Sequence, residues 1–526
     1  MSSFSRSQVV RKPAVAGAAG LVAAQHRGAA EVGAEVLAAG GDAIDAAVAT
    51  SFALGVLEPW MSGPAGGGAM LIWRAAERKA HCLFYGMRAP AGLDPVDYPL
   101  SGGRVSDDLF PWAAVVEDRN VRGATAVAVP GLVDGIGKAH GRFGRLPWKE
   151  LLQPAVVLAR QGLLVDWYAA LMIASASRVL AQDPDAAALF LEEGRWPTIA
   201  GWTALSDKRI DLTRMADTLA ELADKGPREL YDGEVGRALA QDVRDKGGSL
   251  SAEDLRAYRA EFQQPLEIPY RDGRVFAAPG LTAGPTLADV LARLSERLRP
   301  GEAPDGAAYT AYAEALGAAY RARLAGMGDR ESPEAPACTT HFSVIDRHGN
   351  MAAVTQTLLS SFGARCVSPS TGLLLNNGIM WFEPEPGRPN SLAPAKRCLM
   401  NVCPVVGESE GGLRRFALGA SGGRKIMPAV AQLSSFLLDY GMTLEEAFHQ
   451  PRIDFSGGPA VVADESLPAE TLAALRAGHE VVETKRTVFP YGFACPAGVL
   501  GDTTGSWGAT EPLSPWGDAV AERPES

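Results

Sequence analysis

The chain changes character abruptly near residue 338. A helix-patterned stretch, Tyr309 to Leu324, runs into a breaker-rich linker, Gly326 to Ala337, with Pro333 and Pro336. The pattern then becomes strand: Phe342, Val344, a turn at Asp346-Arg347-His348-Gly349-Asn350, and Ala353 to Thr357. Apolar alternation bounded by turn residues marks a hairpin, whereas a linker of that composition is expected to be exposed and mobile. A second strand, Phe416 to Gly419, ends in Ala420-Ser421-Gly422-Gly423 and opens a helix from about Lys425 to Leu438. Chemistry is expected at these two strand ends.

The remaining pattern alternates helices with strands. Ala29, Val32, Val36 and Leu37 recur at helical spacing, Gly40-Gly41 breaks the run, and Asp42 caps a second Ala-rich helix through Phe52. Gly66-Gly67-Gly68 precedes a strand, Ala69 to Trp73, and three glycines there imply close backbone approach or positive φ. Trp148 to Arg160 reads as helix, and Ser251-Ala-Glu-Asp as a helix N-terminus. At roughly 150 residues per domain, the 526 residues suit a large architecture. With 58 Gly and 36 Pro among them, the chain is below the disorder range. Net charge is −11 with no run of five like charges, so a nucleic-acid partner is excluded in favour of a small molecule.

No apolar run approaches the roughly 18 residues of a membrane span. The stretch Ala14 to Ala24 after Arg11-Lys12 looks like a short signal peptide, but Pro13 and two glycines break it. It is expected to be strand, with the cytoplasm as compartment and periplasmic export as the lesser reading. Six cysteines without a C-x-x-C pair suit a reducing compartment. No spacing of His, Cys or acids suggests a metal, and no cofactor is expected.

A Thr that starts a strand directly after a linker, as Thr339 does after Cys338, fits a self-cleaving N-terminal nucleophile. Its hydroxyl attacks the preceding carbonyl, and the freed α-amine, ordinarily near pKa 8, serves as base for the same hydroxyl. Gly419-Ala420-Ser421-Gly422-Gly423 offers a rival, the G-x-S-x-G elbow of serine hydrolases, with only His449 and His479 available downstream. His341 and His348 flank the first candidate without forming a ligand pattern. Lys425 is followed by Ile, so the segment is not a P-loop.

Thr339 to Asn350 followed by Thr355-Gln356-Thr357 resembles the γ-glutamyltransferase (glutathione hydrolase) family. Gly40 to Val48, the glycine run ending at Gly68, Val129-Pro-Gly, Arg142 to Trp148, Tyr231-Asp-Gly, Leu375-Asn-Asn377 and Gly422-Gly423 match its landmarks in order, so the resemblance spans about residues 20 to 510. It implies a four-layer αββα sandwich of the N-terminal-nucleophile hydrolase type, an α/β (α+β) architecture. It also implies cleavage between Cys338 and Thr339 into a large subunit, 1–338, and a small one, 339–526, intertwined in one fold. Carried over by position, Thr339 is the nucleophile, Thr357 supports it, and the Gly422 and Gly423 amides form the oxyanion hole. The last role also fits the donors a helix N-terminus exposes.

The departures concern the acyl pocket. The family's Arg that grips a γ-glutamyl α-carboxylate is Gly86 here, in Gly86-Met87-Arg88-Ala89-Pro90. The Asp that takes the α-amine is Trp381, an Asn is Leu359, and a Ser-Ser pair is Met400-Asn401. Arg88, Trp381 and Asn401 are therefore the candidate substrate contacts. The resemblance implies an amidohydrolase that cleaves a small acyl amide through an acyl-enzyme. A true γ-glutamyltransferase with Arg88 as compensating anchor is the alternative, followed by a serine hydrolase using Ser421 and a non-catalytic homologue. Acyl donor, acceptor and oligomeric state are not legible.

Overall fold

A period of two along each strand decides the layering. In Leu21–Ala24, Val22 and Ala24 join one apolar cluster, whereas Leu21 and Ala23 join another. The computed structural model describes residues 10–105, 113–200, 207–327, 338–489 and 491–523. Of the expected linker, residues 328–337 lie outside the described residues.

Two seven-stranded antiparallel sheets form the centre. The first runs Glu261–Gln263, Lys79–Tyr85, Gly67–Arg74, Met351–Leu359, Cys338–Ile345, Leu21–Ala24, Asp518–Ala521. The second runs Val15–Gly17, Ser506–Thr510, Cys495–Gly501, Arg415–Ser421, Val405–Glu408, Gly273–Ala277, Leu266–Tyr270. Side chains from both sheets, among them Leu71, Trp73, Val406, Ala417 and Val499, share the apolar layer between them. Helices Arg27–Ala38, Ala43–Leu57 and Leu132–Phe143 cover the outer face of the first sheet. Gly284–Arg297, Gly306–Met327 and Ile426–Asp439 cover that of the second. The architecture is thus helix, sheet, sheet, helix, an α+β sandwich of four layers. Both sheets take strands from either side of residue 338.

Local sequence explains the elements that carry the site. Ala43–Leu57 starts at Asp42, whose carboxylate accepts from the Ile44 and Asp45 amides while Asp45 reaches back. Its alanines let it bury nearly every residue against the sheet. The glycine run is extended and lies flat against its neighbours. A β-carbon on Gly66 would fall 2.4 Å from the Thr357 carbonyl, and one on Gly68 2.2 Å from that of Thr355. Close approach, not positive φ, is what these glycines supply.

Candidate active site

Thr339 is the second residue of Cys338–Ile345, and the ladder to Met351–Leu359 slips there. Cys338 pairs with Leu359 and Thr340 with Gln356, with a register shift between. The extra residue is on the partner strand, where Thr357 and Leu358 together stand opposite Thr339, and such a bulge bends the strand and disrupts the ladder locally. Thr339 is buried, 4% exposed, and its Oγ1 donates to Thr357 Oγ1 at 3.3 Å. Thr357 Oγ1 also accepts from the Leu359 amide at 2.7 Å. Leu359 has φ +90°, which costs a branched residue energy. The expected nucleophile and its support are therefore neighbours at an irregular sheet end.

The second strand end stands across the inter-sheet layer. The His341 ring lies over Gly419, where a β-carbon would be 2.4 Å away, so the Thr339 strand and Arg415–Ser421 face one another. Past Ser421, Gly422 has φ +132° and Gly423 φ +57°, a path open to glycine. Gly423–Lys425 then leads into helix Ile426–Asp439, so these amides sit at a helix start. Gln25, after Leu21–Ala24, ties the two ends together. Its Nε2 donates to Ser421 Oγ at 2.8 Å and to the Cys495 carbonyl at 2.6 Å, and its Oε1 lies 3.4 Å from Thr340 Oγ1. Thr340 also bonds Glu58, the C-cap of Ala43–Leu57.

Neither Gln25 nor Glu58 was a sequence candidate. The available signals were a carboxylate directly after an apolar helix and a Gln ending an apolar strand, both surrounded by residues that bury. Burial pushes the Glu58 carboxyl up to about 8, against the opposing hydrogen bond with Thr340.

The elbow reading finds no histidine at Ser421. Its hydroxyl meets Gln25 and, at 3.4 Å, the Cys495 carbonyl. His449 Nδ1 donates to the Glu445 carbonyl while Nε2 accepts from the Lys12 amide, and His479 stands edge-on to Phe455. His341 bonds Thr355 and Ser343, and burial pushes it down to about 3, so it is neutral packing.

The acyl-pocket candidates separate. Leu359, Trp381 and Met400 are buried in one apolar cluster with Phe84 and Met87. Asn401 is buried and its Oδ1 accepts from Arg323 at 3.1 Å, next to the Met400 carbonyl that the same guanidinium reaches. Arg88 stands apart, with Nε on the Ala395 carbonyl at 2.6 Å and its backbone bonded to Val129. Asn376 and Asn377 are staples: they bond the Ala65, Ala128 and Val121 carbonyls and the Ser360 amide.

A family model described as Gamma-glutamyltranspeptidase matches residues 29–338 and 332–516. The Acylase ACY 1 proenzyme of Pseudomonas sp. (strain V22) is 35% identical over 519 residues, 90% of this chain and 89% of that one. The Glutathione hydrolase proenzyme of Bacillus subtilis (strain 168) is 28% identical, over 88% of this chain and 85% of that one. Among solved structures, cephalosporin acylase from Bacillus halodurans superposes with a TM-score of 0.83 at 25% identity, covering 100% of this chain and 99% of that one.

Proposed function

The chain belongs to the gamma-glutamyltranspeptidase family, and from that premise we propose that Thr339 is the nucleophile by which it cleaves itself and then its substrate. It is a self-processing amidohydrolase acting on acyl amides. The observation that carries the assignment of Thr339 is its place opposite the ladder bulge at Thr357-Leu358, with Oγ1 bonded to Thr357 Oγ1 at 3.3 Å.

Thr339 Oγ1 attacks the Cys338 carbonyl carbon, the C–N bond to Thr339 breaks, and the nitrogen takes the hydroxyl proton. Water then hydrolyses the ester, leaving a carboxylate on Cys338 and an amine on Thr339. The products are a large subunit, 1–338, and a small one, 339–526, held together by the shared sheets. In turnover the amine takes the hydroxyl proton, Oγ1 adds to the substrate carbonyl, and the Gly422 and Gly423 amides receive the oxyanion. The leaving amine departs with the proton, and water releases the acid.

The acyl group we assign is one without a free α-amino and α-carboxylate pair. An apolar cluster stands where the family's anchors would be, and a charge buried there unpaired costs several kcal/mol. The name of the Pseudomonas relative, an acylase, supports that choice over glutathione.

Thr339→Ala is the test of the assignment. Under denaturing conditions wild type should give two chains, the smaller beginning at Thr339, and the variant one uncleaved, inactive chain. A variant that still cleaves at residue 338 would show that another group is the nucleophile.

A further inference from the structure

Four side chains run in series beneath the site: Glu58, Thr340, Gln25 and Ser421, ending on the Cys495 carbonyl. All four are buried. Their directions follow from what each atom can do. The Cys495 carbonyl only accepts, so the Gln25 atom 2.6 Å away is Nε2, and Oε1 must be the atom facing Thr340. Thr340 has one hydroxyl proton and two neighbours, Gln25 Oε1 and Glu58 Oε1. With Glu58 ionised both neighbours are acceptors, and one goes unserved inside the protein. With Glu58 protonated, its O–H donates to Thr340, Thr340 donates to Gln25, and Gln25 donates to Ser421 and Cys495. Only that pattern satisfies every member.

We propose that Glu58 is a positioning residue that works as the neutral acid, its O–H setting the direction of a hydrogen-bond chain that holds the nucleophile strand in register with the Gly422-Gly423 turn. The proposal rests on Thr339 being the nucleophile. Thr340 follows it directly, and Ser421 directly precedes Gly422, so the chain grips both halves of the reacting centre through their backbones.

Among the described residues, burial and the Thr340 bond are what act on Glu58, while Arg452 and Arg486 beside Cys495 are paired with Glu511. On the helix that Glu58 ends, Asp42 and Asp45 lie at the opposite terminus. Burial holds His26, the N-cap of Arg27–Ala38, down to about 4 and His341, on the nucleophile strand, to about 3, so both are neutral. Burial keeps the Cys495 thiol protonated, and Lys12 beyond it is occupied by the Glu511, Ser514 and Gly517 carbonyls. Arg27 is exposed and paired with Glu31 and Asp518. Burial accordingly favours the acid form of Glu58, up to about pH 8.

The test compares full-length wild type, Glu58→Gln and Glu58→Ala on a neutral acyl anilide across pH. Gln can donate to Thr340 as the acid does but cannot ionise. Glu58→Gln should self-cleave, keep kcat within about threefold, and lack the fall in activity expected of wild type above about pH 8. Glu58→Ala should lose about a hundredfold in kcat with little change in KM. Infrared spectra should show a protonated-carboxyl band that titrates in wild type and is missing from Glu58→Gln. Glu58→Gln as inactive as Glu58→Ala, or an alkaline limb common to wild type and Glu58→Gln, overturns the proposal. If Glu58→Ala does not fold, the comparison of wild type with Glu58→Gln still decides. Thr339→Ala separates the premises: activity surviving there removes the nucleophile assignment itself, whereas a dead Thr339→Ala beside an unchanged Glu58→Gln profile removes only the role of Glu58.

Discussion

Gly86 and Met400 compete for one volume: a β-carbon on Gly86 would lie 2.8 Å from the Met400 sulfur and 2.4 Å from the Phe84 ring. The position at which the family resemblance leads one to expect a carboxylate-binding Arg is therefore closed by the Phe84 ring and by Met400, which stands at another expected polar anchor. The substitutions are coupled.

Gly86→Arg should accordingly not restore γ-glutamyl binding. Overpacking of this kind costs roughly 1–3 kcal/mol, so the melting temperature should drop, and Met400→Ala in the same chain should recover part of it. A Gly86→Arg protein as stable as wild type, with new γ-glutamyl activity, would show that the volume is not shared.

Thr357 is placed to orient Thr339, because its Oγ1 is fixed by the Leu359 amide at 2.7 Å and touches Thr339 Oγ1 at 3.3 Å. Thr357→Val keeps the shape and strands both partners, so kcat should fall by about one to two powers of ten. Thr357→Ser should recover most of that. Equal kcat for Val and Thr at 357 would remove this role.

Ser421→Ala should still self-cleave and lose no more than about tenfold in kcat/KM. Gln25 retains its bond to the Cys495 carbonyl, and the Gly422 and Gly423 amides are backbone groups. A processed but inactive Ser421→Ala would favour the elbow after all.

What was legible in the sequence followed from short-range rules. Thr339 was a candidate from its place at a strand start after a linker, whereas Thr357 and Gly422-Gly423 were named through the family resemblance; the hairpin explains why Thr357 lies beside Thr339. The four-layer architecture was implied by the resemblance, and the period of two accounts for it physically, as Leu21 and Ala23 against Val22 and Ala24 show. Gln25 and Glu58 were not legible. Their bonds to Ser421 and Thr340 join residues 396 and 282 apart in the chain, and no local pattern encodes such a meeting. The bulge at Thr339 escaped for a related reason: register depends on both strands at once.

Acid and alkali should destabilise the fold through different groups. Folding moves His341 from 6.5 to about 3, so the unfolded chain takes up a proton that the folded one refuses. Stability should therefore fall as pH drops below 6.5. His26 adds in the same direction. Glu58 has the opposite sign. Its folded value is raised from 4.5 to about 8, so its contribution is greatest at low pH and is lost as pH climbs from 4.5 to about 8. Melting temperature should hence decline between about pH 6.5 and 8 in wild type and stay level in Glu58→Gln. A decline of equal size in both would place the titrating group elsewhere.

The proposed specificity rests on Leu359, Trp381 and Met400 lying in one buried apolar cluster while Arg323 holds Asn401. A γ-glutamyl group held against these residues would give up hydration on two charges and gain no ion pair from them. Each missing charge-assisted hydrogen bond is worth roughly 1.5–3 kcal/mol, so two missing bonds weaken transition-state binding by about two to four powers of ten. A neutral acyl anilide should exceed γ-glutamyl anilide in kcat/KM by at least about a hundredfold. Trp381→Asp alone should improve γ-glutamyl turnover less than about tenfold, because its carboxylate would be buried among Met and Phe side chains and the carboxylate anchor would still be lacking. Glutathione hydrolysis by wild type at about 10⁴ M⁻¹s⁻¹ or more would contradict this. It would direct attention to Arg88, whose Nε rests on the Ala395 carbonyl, as the group that had taken over recognition of the carboxylate.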